Sequence, residues 1–251
     1  MARIHQTVAT ILLILLASAL GSQAGMTYNG TTTCLRSASS TGAPTGYPFT
    51  IAALVTFTAT GDQAVMATGD GGTAPLSGVE FYLSTSTMAM YNNGSGVNIP
   101  GLTNVAQNAR VLVVWSSLNA TTHRSYAYNV DTRTQIYSDV LPTTNLGTIT
   151  APAGAVTVGC SMNGAANQEF LTGTIYWAAA YAIDMTANIA AAGQALANLG
   201  PYAVGTPSIL YSFQENTGTR VAERRGTGYV GTMAGTVTWV NMGPPRPYHL
   251  W

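Results

Sequence analysis

Residues 170–184, FLTGTIYWAAAYAID, decide the fold class, because this stretch is apolar on both faces at the two-residue period of a strand. Ile175, Trp177, Ala179 and Tyr181 fall on one side, and Tyr176, Ala178, Ala180 and Ala182 on the other. A strand without a polar face needs cover above and below, which places it inside a layered β structure rather than at an edge. The chain then changes period. Met185, Ile189, Ala192, Leu196 and Leu199 recur at steps of four and three, the apolar stripe of one short helix over 186–199. Asp184 or Thr186 stands where an N-cap belongs, and Gly200 with Pro201 stops the helix.

Working outward, short alternating stretches recur with turn residues between them. Phe49, Ile51, Ala53, Val55 and Phe57 share one face of a half-buried strand over 49–58. Residues 63–68 form another strand, before the glycines at 71–72. Val79, Phe81 and Leu83 point one way while Glu80, Tyr82 and Ser84 point the other, with 88–91 as the hairpin partner. Residues 111–118, around Trp115, are again apolar on both faces. Strands at 26–36 (around the Asn29-Gly30 turn), 123–130, 134–138, 155–160, 209–213 and 236–240 complete the series. Many short strands at this spacing with one helix indicate an all-β antiparallel sandwich or jelly roll.

Composition limits the partners. The 251 residues hold nine acids and nine arginines, no lysine, and only 7% charged residues, so the net charge is zero. No basic run exists to neutralise phosphates, which argues against a nucleic-acid partner. Thirteen tyrosines and four tryptophans spread along the chain are enough for a packed core. Residues 1–24 carry Arg3 and an apolar run from Val8 to Leu20, ending in small residues: a signal-like segment, or one retained and packed. The run is too short for a stable membrane span.

The order of motifs resembles a family. Tyr28-Asn29-Gly30 with Cys34-Leu35, the Pro48-Phe49-Thr50-Ile51 strand, Ala155-Val156-Thr157-Val158-Gly159, and 170–184 leading into a helix come first. Ser208-Ile209-Leu210-Tyr211-Ser212-Phe213 and the closing 234–239 strand before Gly243-Pro244-Pro245 follow. This succession is similar to the concanavalin A-like lectin/glucanase jelly roll, in its laminin-G-like branch, over a domain of residues 25–245 with a tail at 246–251. The resemblance implies two antiparallel sheets and a choice among lectin, glycan hydrolase and structural module. It also brings Cys34 and Cys160 near each other, as a disulfide or as two buried thiols. Calcium serves related lectins, and Asp70, Asn92 and Asn93 are the oxygen ligands this chain would offer; a plain turn is the other reading of them. No other cofactor is implied.

The chain's own chemistry favours binding over catalysis. Glycanases need two carboxyl groups facing one cleft, and here no two acids are closer than eight positions, as with Asp62 and Asp70. His5, His123 and His249 sit in the leader, at a strand start and in the tail, and no nucleophile elbow or phosphate loop appears. Sugars are held by aromatic faces together with carboxylate and guanidinium groups. Glu80 and Tyr82 on one strand and Arg124, Tyr126 and Tyr128 on another offer that set; packing of the tyrosines against a second layer is the alternative. The cluster of Arg220, Arg224 and Arg225 with Glu215 and Glu223 is expected to hold the last loop by ion pairs. The reading is a non-catalytic lectin-like protein that binds a glycan or surface polysaccharide outside the cytoplasm, on a virion or cell surface. A virion or appendage decoration packed against neighbouring protein subunits is the alternative, and a secreted glycoside hydrolase the third.

Overall fold

The computed structural model describes residues 24–37, 39–58, 61, 63–69, 78–83, 87–92, 95–100, 108–137, 145–149, 155–163, 166–213, 215, 219–224 and 230–240. They form two eight-stranded antiparallel sheets, facing each other, and one helix. The first sheet runs β10 (Thr134–Tyr137), β9 (His123–Asn129), β8 (Val111–Ser117), β3 (Phe49–Phe57), β14 (Thr172–Tyr181), β1 (Gly25–Asn29) and β18 (Thr238–Val240), with β15 (Ile209–Tyr211) also on β14. The second runs β16 (Arg220–Ala222), β17 (Val230–Ala234), β2 (Cys34–Ser37), β11 (Val156–Val158), β4 (Gln63–Thr68), β5 (Val79–Leu83), β6 (Thr87–Asn92) and β7 (Ser95–Pro100). A separate hairpin joins β12 (Ser161–Asn163) to β13 (Ala166–Gln168). The disulfide between Cys34 and Cys160 is formed, with Cα atoms 5.4 Å apart, an ordinary span for the bond.

β14 is interior, as its two apolar faces require. β3 lines one side along its whole length, while β1 and then β15 share the other. Strict alternation breaks at one place. The register with β3 shifts between Ile175 and Trp177, a bulge that inserts Tyr176 as an extra residue. Ile175, Ala178 and Ala180 consequently enter the core between the sheets, whereas Tyr176, Trp177, Ala179 and Tyr181 pack together on the opposite, outer side. The division expected from strict alternation, with Ile175 beside Trp177, is corrected accordingly.

The helix contributes to that same outer cluster. A 3-10 turn, Thr186–Asn188, leads into α1 (Ile189–Leu199), which lies across β8 and β9. The N-cap expected at Asp184 or Thr186 is corrected: Met185 caps the 3-10 turn and Asn188 the helix, neither through its side chain, because the 3-10 turn intervenes. Asp184, one residue outside, accepts the Thr186 N–H at 2.8 Å, and Gly200, at φ 86°, closes the helix by donating its N–H to Leu196. Ile189 and Leu196 are buried as the apolar stripe requires, but the third anchor is Gly193, and Leu199 is 75% exposed. Glycine inside a helix costs about 1 kcal/mol relative to alanine. Its use at 193 is steric: a Cβ there would collide with the Tyr126 ring. Because the helix sits so close, β3 is not half-buried; Ala52 and Leu54 join the outer cluster while Phe49, Ile51, Ala53, Val55 and Phe57 fill the core. Of the expected charge cluster, Arg224 pairs with Glu215 at 2.9 Å and Glu223 accepts the Leu210 N–H, while Arg220 is exposed without a pair among the described residues and Arg225 lies outside them.

Gly193→Val should force the helix off Tyr126 and lower stability in urea titration by about 1–3 kcal/mol, the usual cost of overpacking. The same change at exposed Ala191 should cost only the few tenths due to helix propensity. Equal losses at both positions would show that α1 is not seated on β9.

Candidate functional site

The two sheets differ in what their outer sides present. On β5, Val79, Phe81 and Leu83 are fully buried in the core, so Glu80 and Tyr82 face outward. Register places Ala64 of β4 and Ala89 of β6 on either side of Tyr82, and these small residues leave the tyrosine ring room to lie down among them. Tyr91, opposite Glu80, meets the Tyr82 ring edge to face at 5.2 Å. Tyr82 is thereby only 4% exposed, while Tyr91 stays half-buried with part of its ring at the surface.

A second acid joins this pair. After β11 the chain leaves the sheet at Gly159 and returns at Leu171, whose N–H bonds the Gly159 carbonyl at 2.9 Å. The intervening flap carries the β12–β13 hairpin, with β12 beside β4 and β11, and the Thr157 hydroxyl donates to the Cys160 carbonyl at its start. Its first leg is fastened to β2 by the Cys34–Cys160 disulfide. Its second leg ends at Glu169, which adopts a left-handed φ of 51° and accepts the Ala64 N–H on its carbonyl. Such a backbone is strained for a residue other than glycine, and here the side chain gains two polar partners. Tyr82 Oη lies 2.6 Å from Glu169 Oε2 and 2.6 Å from Glu80 Oε2, and Ser161 Oγ donates to Glu169 at 2.5 Å.

Proton count determines how this chain of oxygens is joined. The Tyr82 hydroxyl has one hydrogen and cannot donate to both carboxyl groups. Burial first, then the charge of Glu169, raise the Glu80 pKa above its ordinary value, with the Tyr82 hydrogen bond opposing. One of the two contacts at Tyr82 Oη can be donated by the tyrosine, and the other needs a proton on a carboxyl group; the upward shift of Glu80 favours its protonated form relative to an ordinary glutamate, and Ser161 donates to Glu169. Burial first, then the charge of Glu80 wherever that group is ionised and the hydrogen bonds to both acids, raise the Tyr82 pKa far above its usual value, which keeps its hydrogen in place.

The other residues singled out in the sequence lie elsewhere. Arg124, Tyr126 and Tyr128 belong to β9 of the first sheet, so they do not share a surface with Glu80 and Tyr82. Tyr126 and Tyr128 stack at 6.2 Å and are buried in the outer cluster, Tyr126 directly beneath Gly193. Asn92 turns inward and donates from its amide to the carbonyls of Leu146 and Thr148, clamping that loop. Asp70 and Asn93 lie outside the described residues, and among those described no group of three or more His, Cys, Asp or Glu gathers. His123 is fully buried and spans Ser117 Oγ and the Ala120 carbonyl, a structural position. A separate cleft of about 240 Å³, lined in part by Pro44, Tyr47, Phe49, Tyr181 and Ser208, contains no acid. Glu169 was missed because nothing local marks it; it is 87 positions from Tyr82, and only the flap brings them together.

No family model and no curated protein matches the sequence. Solved structures do match in shape. A Bacteroides ovatus protein assigned a carbohydrate-binding role superposes with a TM-score of 0.54 at 13% identity, over 89% of this chain and 61% of that one, so the chain spans about three-fifths of that protein's length. The native heptameric SAP-like pentraxin from Limulus polyphemus gives a TM-score of 0.53 at 12% identity, over 84% of this chain and 95% of the pentraxin. The LG1-3 region of the laminin alpha2 chain gives 0.46 at 13% identity, over 64% of this chain and 31% of that one. At these identities the likeness is one of fold, and the fold is the concanavalin A-like jelly roll.

Proposed function

We propose that this chain is a non-catalytic, lectin-like module that binds glycan on the outer side of its second sheet, around Tyr82, and works outside the cytoplasm on a virion or cell surface. The observation that carries the reading is the Tyr82–Tyr91 pair flanked by Glu80 and Glu169. Tyr91 supplies an aromatic face for sugar C–H groups, and Glu169, exposed at the end of the flap, supplies acceptors for sugar hydroxyls. The similar fold assigned a carbohydrate-binding role in Bacteroides ovatus supports it. The Cys34–Cys160 disulfide and the signal-like residues 1–24 support an oxidising compartment, with 25–245 as the working domain. Binding is preferred to hydrolysis on geometry. Glycosidase carboxyl groups face each other across the space that the sugar carbon enters, whereas the Tyr82 hydroxyl stands between Glu80 and Glu169 and ties them to each other. One observation favours the decoration reading: Ile183, Leu199 and Tyr202 are exposed apolar side chains near the ends of α1 and its following loop, available to a neighbouring subunit.

On a glycan array, the protein should bind a defined subset of sugars. Tyr91→Ala should weaken that binding by about 1–2 kcal/mol, close to tenfold in Kd, with the melting temperature almost unchanged. Array silence together with a concentration-dependent dimer in sedimentation would replace glycan binding with subunit packing.

The shared proton also sets a pH dependence. A carboxyl group whose pKa is higher folded than unfolded binds more protons in the native state, so its stabilising contribution is complete below the ordinary value of 4.5 and is lost as pH rises through the shifted one. Glu80→Gln keeps the shape without the titration. Its melting temperature should equal or fall below the parent's at pH 4 and exceed it at pH 8. A constant difference across that range would show that Glu80 is ionised throughout.

A further inference from the structure

The outer side of the second sheet carries another polar row beyond the flap. Register aligns Arg220 of β16 with Thr232 of β17 and Thr232 with Arg36 of β2. Val221, Met233 and Leu35 are buried in the core, so the alternate residues Arg220, Thr232 and Arg36 face outward, and all three are exposed. Neither arginine has a hydrogen bond or ion pair with any described residue, whereas Arg110 is held by Asp131 and Arg224 by Glu215. The two Cα positions are two strand spacings apart, about 10 Å, with a threonine hydroxyl between them.

We propose that Arg36, Thr232 and Arg220 form an anion-binding subsite for acid groups, carboxylate or sulfate, carried along a polysaccharide. One exposed guanidinium holds an anion weakly, so two on one face are needed to hold acid groups with useful affinity. Two acid groups linked by one sugar chain meet both arginines, the second at high effective concentration, and each guanidinium offers a planar fork matched to a carboxylate or sulfate. A protein with no net charge and no lysine has no general attraction for polyanions, so the selectivity resides in this row. The polymer's nature rests on the glycan-binding reading; its charge rests on the arginine row alone.

The test uses matched polymers: polygalacturonate against its methyl ester for the carboxylate, and dextran sulfate against dextran for the sulfate, with the full-length protein in affinity electrophoresis. At least one acid form should bind and its neutral partner bind at least tenfold more weakly. Arg36→Gln/Arg220→Gln should lose about tenfold toward the acid form only, at unchanged melting temperature, and salt raised to about 0.5 M should do the same to the parent. Equal binding of acid and neutral forms, an unaffected double variant, or no binding to any of the four polymers would overturn the proposal. Tyr91→Ala separates it from the wider reading. Acid-selective binding that ignores Tyr91 but needs the arginines keeps this subsite and removes the tyrosine site; equal binding of both forms that needs Tyr91 does the reverse.

Discussion

Everything in this molecule depends on β14 having no polar face. One side of the strand is covered by the second sheet, and the other must be covered by something that is not a sheet. The helix that follows it in sequence joins that outer cluster from its seat over β8 and β9, and the contact there is tight because Gly193 lets α1 settle on the Tyr126 ring. A large aromatic buried fully is worth about 1.5–3 kcal/mol, more than the propensity lost by placing glycine in the helix. The consequence reaches function. With α1 over β8 and β9, the first sheet is closed where its tyrosines lie, and the outer side of the second sheet is left as the surface on which aromatic and charged residues stay within reach.

On that surface the acidic end is built for order rather than for charge. Two carboxyl groups on one tyrosine oxygen repel when both are ionised, and burial, which raises the Glu80 pKa, favours a proton at that oxygen cluster. The result is a single line of oxygens, from Glu80 through Tyr82 and Glu169 to Ser161, joining β5 to the flap. On the proposed reading, ligand contact at Glu169 or Tyr91 would be made on side chains already held by their neighbours, which lowers the ordering cost of binding.

Much of this was legible in the residues. The double-faced stretches at 111–118 and 170–184 did mark the strands that need cover on both sides, and the alternation of Val79, Phe81 and Leu83 did turn Glu80 and Tyr82 outward. Cys34 and Cys160 do meet. What escaped is what alternation cannot carry. The extra residue at Tyr176 has no local signature, yet it moves Trp177 to the other face. Tyr126 and Tyr128 alternate correctly to the outer side, but whether an outer side is solvent or helix is settled by where α1 lands. Glu169 sits in a short excursion between two strands, and no spacing rule links it to an acid on β5.

The flap shows why such a site needs more than strands. Regular ladders place residues in rows fixed by register, and no row of the second sheet brings a second acid to Tyr82. The excursion from Gly159 to Leu171 does so by leaving the ladder, with Gly159 at φ 75°, where a Cβ would strike the Tyr28 ring, and Glu169 in the left-handed region without being glycine. A strained residue of that kind persists only where its surroundings over-determine it. Here the disulfide holds one leg, the Ala64 N–H and the Tyr82 and Ser161 hydroxyls hold the other, and the flap also parts the tyrosine site from the arginine row. On the proposed reading, a glycan lying across this sheet would meet an aromatic and acidic surface on one side of the flap and guanidinium groups on the other, and the end carrying the acid would set its orientation.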